Sequence, residues 1–192
     1  MSLVLDGSSG ITTNSGTLIS ASTIGVGGTT PSASGAGISF PATQSASTDV
    51  NTLDDYEEGT FTANLAFNSG QTGSFTFTQN TGYYIKVGRL VHWQAWVTWT
   101  AKPSAGSTLK VALPFTSVSG NSYRGGFCIG YVDPSTFSIT SYQLALRMES
   151  SANNAIFNYT STTGASINTE IGQASVGTSG SVMMSGTFVC DQ

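Results

Sequence analysis

The chain has 192 residues, of which Ser, Thr and Gly supply 79, about 41%, while charged residues make up 8% and hydrophobic ones 39%. So little Lys, Arg and Glu excludes a helical bundle or coiled coil, and six Lys and Arg against ten Asp and Glu exclude a basic nucleic-acid-binding domain. Enough apolar residue remains to fill a core, which excludes charge-driven disorder and leaves an all-β protein with hydroxyl-rich faces and many turns.

Residues 1–48 hold one charge, Asp6, and one aromatic, Phe40. Apolar points at Val4, Ile11, Leu18, Ile19, Ile24, Val26 and Ile38 are separated by Gly- and Ser-rich runs, with no helical period and only short strand-like pieces. Such a segment buries too little apolar surface to offset its own backbone entropy, so it needs a second surface to become ordered. We read it as an extended anchoring arm that docks on a neighbouring subunit or a larger assembly. The opening MSLVLDGSSG has neither a basic stretch nor an apolar run of signal-peptide type, and no apolar segment approaches the roughly 18 residues of a membrane span. These features predict synthesis in the cytoplasm and no membrane insertion.

Residues 49–58 carry the acidity: Asp49, Asp54, Asp55, Glu57 and Glu58 leave the remainder of the chain nearly neutral. We expect an acidic elbow here, with Leu53 and Tyr56 packed inward and the carboxylates facing water or the cations Lys86 and Arg89. A calcium loop starting at Asp49 would need an oxygen ligand at its fifth position and Gly at its sixth, where Leu53 and Asp54 stand. A glycosidase pair needs two carboxylates facing each other across a sugar, which neighbours on one extended segment seldom provide.

From residue 59 to 192 the period becomes two. Phe61, Ala63, Leu65 and Phe67 fall in phase, as do Phe75 and Phe77. TGYYIKVGRLVHWQAWVTWT reads as strand, turn at Gly88-Arg89 and strand, with Val91, Trp93, Ala95, Val97 and Trp99 on one face of the second arm. Leu109, Val111, Leu113 and Phe115 follow, then Phe127, Ile129 and Tyr131, then Tyr142, Leu144, Leu146 and Met148, with AIFNYT, INTEI and SVMMSGTFVC completing the series. Eight to ten short strands without a helical segment predict an antiparallel β-sandwich of jelly-roll-like type.

Chemistry-bearing groups are sparse. His92 is the only histidine, and its neighbours Val91 and Trp93 put it on the face away from the core, so no nucleophile–histidine arrangement is expected around it. No serine stands in a GxSxG frame, and the Gly-rich runs neither follow a strand into a helix nor carry GK[ST]. Zinc would require several His or Cys ligands that the composition does not supply. We expect no catalytic residue, no metal and no cofactor. Cys128 and Cys190 are read as buried free thiols. Trp96 falls on the same face of its strand as His92 and Gln94, and together with Tyr84 these form the candidate surface for a subunit or a ligand.

The stretch GAGISFPATQSASTDVNTLDDYEEGTFTANL, followed by TGYYIKVGRLVHWQAWV and LPFTS, resembles a module of tailed-bacteriophage virion proteins of the tail-fibre, head-fibre and capsid-decoration type. The preceding TLISASTIGVGGTTPSASG is similar to the linker found before that module, so the resemblance covers about residues 17 to 117. It implies a homotrimer on the exterior of a phage particle, with N-terminal strands that intertwine and bind other virion proteins, and a β-sandwich head without enzymatic activity. Many tail fibres carry a long shaft before this module, whereas here the linker stands almost at the start, which favours a decoration protein, head fibre or short spike. The rival expectation is a short tail fibre for host attachment, whose Trp96 and Tyr84 stack on a host-surface glycan. A depolymerase, for which Asp54 and Glu57 would be the first residues to replace, is the third class and the one that the lone histidine and clustered carboxylates disfavour.

Overall fold

The computed structural model describes residues 23–30, 36–44, 47–49, 51–120, 125–139, 141–161 and 169–191. The chain divides into two compact units, Met1–Ser45 and Ala46–Gln192. In the first, β1 (Thr23–Gly25) pairs in parallel with β2 (Gly37–Ser39), and Val26 donates to the Ser39 carbonyl at 3.0 Å. Three-residue strands are what isolated apolar points in a Gly- and Ser-rich sequence can support. The remainder of the expected arm, residues 1–22 included, lies outside the described residues.

The second unit is all-β and antiparallel. Its strands are β3 (Tyr56–Thr62), β4 (Leu65–Phe67), β5 (Thr76–Gln79), β6 (Thr81–Val87), β7 (Leu90–Ala101), β8 (Leu109–Ala112), β9 (Gly126–Val132), β10 (Ser141–Met148), β11 (Asn154–Ser161), β12 (Thr169–Glu170) and β13 (Gly180–Val189). They form one curled sheet in the order β3-β6-β7-β13-β9-β10-β11-β8-β4, with β5 also on β7 and β12 also on β11. The turn of the sheet is made by β9. Its Gly126 and Phe127 pair with β10, while Cys128, Ile129, Tyr131 and Val132 pair with β13. The result is sandwich-like, with one sheet's two halves facing a shared core.

That core is the in-phase set read from the sequence. Ala63, Leu65, Phe67, Phe75, Val91, Trp93, Ala95, Val97, Trp99, Leu109, Val111, Leu113, Phe127, Leu146 and Met148 are buried, joined by Phe157, Ile171, Val182, Met184 and Phe188. Phe61, Phe77, Phe115 and Leu144 pack half-buried at its margin. Each large apolar side chain taken fully out of water contributes roughly 1.5–3 kcal/mol, and aromatic edge contacts add to that. Trp93 meets Phe61 and Phe127 edge-on, with centroids 6.2 and 5.3 Å apart. Trp99 meets Phe75 at 5.9 Å.

One expected core residue lies outside. Tyr131 was placed in phase with Phe127 and Ile129, but it is exposed. The pairing shifts register here: Ile129 opposes Met184, and Tyr131, two residues on, opposes the adjacent Met183. The extra residue, Gly130, is a bulge that turns Tyr131 to the outer face. The side chain of Tyr142 lies outside the described residues.

LDDYEEGT runs into β3, GYYIKV is β6, and the two pair from Tyr56–Val87 to Thr62–Thr81. Val87 opposes Leu90 across a two-residue loop in which Gly88 has φ +56, the left-handed conformation that a tight hairpin needs at its first loop position. Arg89, the second loop residue, donates from Nε to the Cys190 carbonyl at 3.1 Å. Gly82 serves a different purpose: a Cβ there would overlap the Phe61 ring. We expect Gly82→Ala to cost about 1–3 kcal/mol through the displaced ring, read as a lower urea midpoint with an unchanged slope. An unchanged midpoint would mean that the ring moves aside freely.

Candidate functional site

The outer face of the β3-β6-β7-β13-β9 half is unlike an ordinary solvated sheet. Strand register arranges it in rows. Tyr56, Val87 and Leu90 make the first, and Glu58, Ile85, His92 and Thr187 the second. Thr60, Tyr83, Gln94, Ser185 and Cys128 make the third, and Trp96, Met183 and Tyr131 the fourth. Tyr56, Tyr83, Ile85, Val87, Leu90, Trp96, Tyr131 and Met183 are all exposed. Charge on these rows is confined to Glu58, with His92 as the one further titratable base.

The polar groups between these side chains are largely tied to one another. Trp96 Nε1 donates to Ser181 Oγ at 2.7 Å, and Ser181 Oγ lies 3.1 Å from Thr98 Oγ1. His92 Nδ1 lies 3.1 Å from Thr187 Oγ1. Tyr56 donates its hydroxyl to Glu58 Oε2 at 2.9 Å, and that bond, together with the carboxylate's charge, holds the phenol above its ordinary pKa. A shallow groove of about 440 Å³ crosses the third and fourth rows, walled by Tyr83, Trp96 and Met183, with Gln79, Gln94 and Ser185 offering amide and hydroxyl groups.

Three of the four residues expected on this surface are there: His92, Gln94 and Trp96. Tyr84 is not. It pairs with Trp93, turns inward and meets Phe115 edge-on at 5.0 Å. Burial, with the charges of Glu57 and Asp55 adding to it and that of Lys86 opposing, pushes its phenol up. Tyr83 occupies the outer position instead. The hairpin itself carries the missing signal: counting outward from the Val87–Leu90 pair across a two-residue loop puts Tyr83 opposite Gln94 and Tyr84 opposite Trp93.

The acidic segment also resolves differently from an elbow. The sheet takes up its last three residues, Tyr56, Glu57 and Glu58, as the start of β3. Leu53 and Tyr56, expected inward, are 56% and 41% exposed. Asp55 is the residue that goes in, where it forms a buried ion pair with Lys86, one of the two expected partners. Strand alternation explains the exchange, because Asp55, Glu57 and Phe61 share the inner phase and Tyr56 and Glu58 the outer. Asp54 accepts from the Ser47 amide at 2.8 Å, and Asp49 from the Asn51 amide at 2.9 Å, so both fasten the chain ahead of β3.

The two cysteines are free, as expected, but only Cys190 is buried; Cys128 is exposed on the third row. Burial pushes the Cys190 thiol up. In the folded single chain, iodoacetamide should therefore label Cys128 and not Cys190, and both after denaturation, read by mass. Labelling of Cys190 in the folded protein would contradict its burial.

Among the described residues no three His, Cys, Asp or Glu side chains are grouped as a metal site, and no helix is long and apolar enough to cross a membrane. Comparison with protein-family models and with curated protein sequences gave no match.

Proposed function

We propose that the protein is a non-enzymatic structural component of a tailed-bacteriophage particle, a capsid decoration protein, head fibre or short spike, assembled as a homotrimer. The observation that carries the reading is the outer face of β6. Its outward residues Tyr83, Ile85 and Val87 are apolar, whereas Gly82, Tyr84 and Lys86 point in, an inversion of the usual soluble strand. With Leu90, Trp96, Met183 and Tyr131 alongside, the face is depleted of charge and rich in aromatic residues and Met, the composition of an interface core. A closed symmetric oligomer is the ordinary way to cover such a face. The resemblance of LDDYEEGT and GYYIKVGRLV to phage virion modules supplies the setting, with residues 1–48 as the arm that binds other virion proteins on the particle exterior.

Light scattering on the purified protein should give three chains per particle. The double variant I85K/W96R should give a folded single chain with an unchanged far-ultraviolet spectrum. A monomeric parent at all concentrations would end the trimer reading. Removing residues 1–40 should abolish incorporation into particles while the sheet still folds.

A second reading has its own observation, the groove between Tyr83 and Trp96. Aromatic walls beside Gln79, Gln94 and Ser185 suit stacking and hydrogen bonding to a sugar. In that case the protein is a short tail fibre that binds a host-surface polysaccharide. Binding on a glycan array that Trp96→Ala abolishes without altering the oligomer would favour this second reading.

A further inference from the structure

We propose that Lys86 and Asp55 condense into an intramolecular isopeptide bond, with Glu57 as the group that relays protons during the reaction. The geometry that points to it lies on the inner face of the β3–β6 pair. Lys86 Nζ is in direct contact with Asp55 Oδ2, and the two side chains are 6% and 5% exposed. The Phe115 ring centroid lies 5.5 Å from Nζ, Tyr84 packs on that ring, and Cys190 lies in electrostatic range of the pair and of Arg89. Glu57 stands directly opposite Lys86 in the strand register, and opposed residues in an antiparallel pair share a face. An amine and a carboxyl group are thus in contact at the edge of the core, with a second carboxylate residue at the register position opposite the amine's.

The reaction begins with transfer of one proton from the ammonium to the carboxylate it touches. The neutral amine and neutral acid are the reacting forms. The Nζ lone pair attacks Asp55 Cγ, and a C–N bond forms as the carbonyl carbon becomes tetrahedral. The adduct then releases one hydroxyl as water. The proton lost by nitrogen passes to that hydroxyl through the Glu57 carboxyl, which gains one proton and returns it. One C–O bond breaks, one C–N bond forms and one water leaves. Nothing is oxidised or reduced, and no co-reactant is consumed. Holding the two groups in contact replaces an encounter between separate molecules, and a site closed to water disfavours the reverse hydrolysis.

The product ties the segment ahead of β3 to β6 across 31 positions of sequence. It would pin the acidic segment to the sheet against mechanical load. The chemistry is independent of where the protein functions, so its test does not stand or fall with the virion reading.

Intact-mass spectrometry of the purified full chain is the experiment. The expected mass is that of the sequence less one water, and digestion should yield a branched peptide joining Lys86 to Asp55, which separates this bond from dehydration elsewhere. Lys86→Arg keeps a cation beside Asp55 but should restore the full mass for its own sequence, as should Asp55→Ala. Glu57→Gln should fold and lose water far more slowly or not at all. A parent chain at full sequence mass, with Lys86 and Asp55 recovered in separate linear peptides, overturns the proposal. Water loss at an undiminished rate in Glu57→Gln overturns the role of Glu57.

Discussion

Asp55→Ala is expected to lower the free energy of unfolding by about 3–5 kcal/mol by removing the carboxylate that faces the buried ammonium of Lys86. Lys86 has its Nζ between Asp55 and the Phe115 ring and is almost closed to solvent. Without Asp55 the ammonium keeps its burial but loses its carboxylate, or the β3 edge opens to hydrate it. The double variant Asp55→Leu with Lys86→Met removes both ionisable groups and should recover that share, since well-packed apolar replacements of a buried pair are often neutral. What the double variant leaves unrecovered reports the covalent bond. For a 31-residue span the loop-closure share of a cross-link is about 3–4 kcal/mol. Urea unfolding of parent, single and double variants separates the two contributions. A double variant as weak as the single one would assign the loss to the cross-link rather than to the broken ion pair.

The same strand pair shows what the sequence could and could not disclose. β7 was legible because its inner phase is uniformly apolar, Val91, Trp93, Ala95, Val97 and Trp99, and the structure buries every one. Its outer residues His92, Gln94 and Trp96 followed by alternation. β6 was not legible in the same way, because its apolar phase is the exposed one and its buried phase contains a lysine. Hydrophobicity alone therefore put Tyr84 on the wrong face, while pairing geometry from the Gly88-Arg89 hairpin puts it on the right one. Leu53 and Tyr56 failed for the same reason: an acidic residue, Asp55, holds the inner position because its partner is another buried charge. Tyr131 failed for a local one, the register shift at Gly130. Alternation reads burial where burial is driven by apolar area. It misreads positions where a specific pair, or a face awaiting a partner, decides the side.

Trp93 and Trp96 put that distinction to a direct test, because they stand three residues apart on β7 and face opposite ways. Trp93 is fully buried between Phe61 and Phe127, while Trp96 is 49% exposed. Trp93→Ala should cost about 3–5 kcal/mol, the transfer energy of the ring plus the cavity that Phe61 and Phe127 only partly close. Trp93→Phe should cost less than its volume loss suggests. The buried indole N–H makes no hydrogen bond, so its removal forfeits nothing and relieves an unmet donor. Trp96→Ala should change the stability of the single chain by less than about 1 kcal/mol, the worth of its bond to Ser181. Its effect should fall on association, as a loss of trimer at low concentration read by light scattering. If Trp96→Ala instead unfolds the chain while association of the remaining folded protein is unchanged, the outer face is structural and the interface must lie elsewhere.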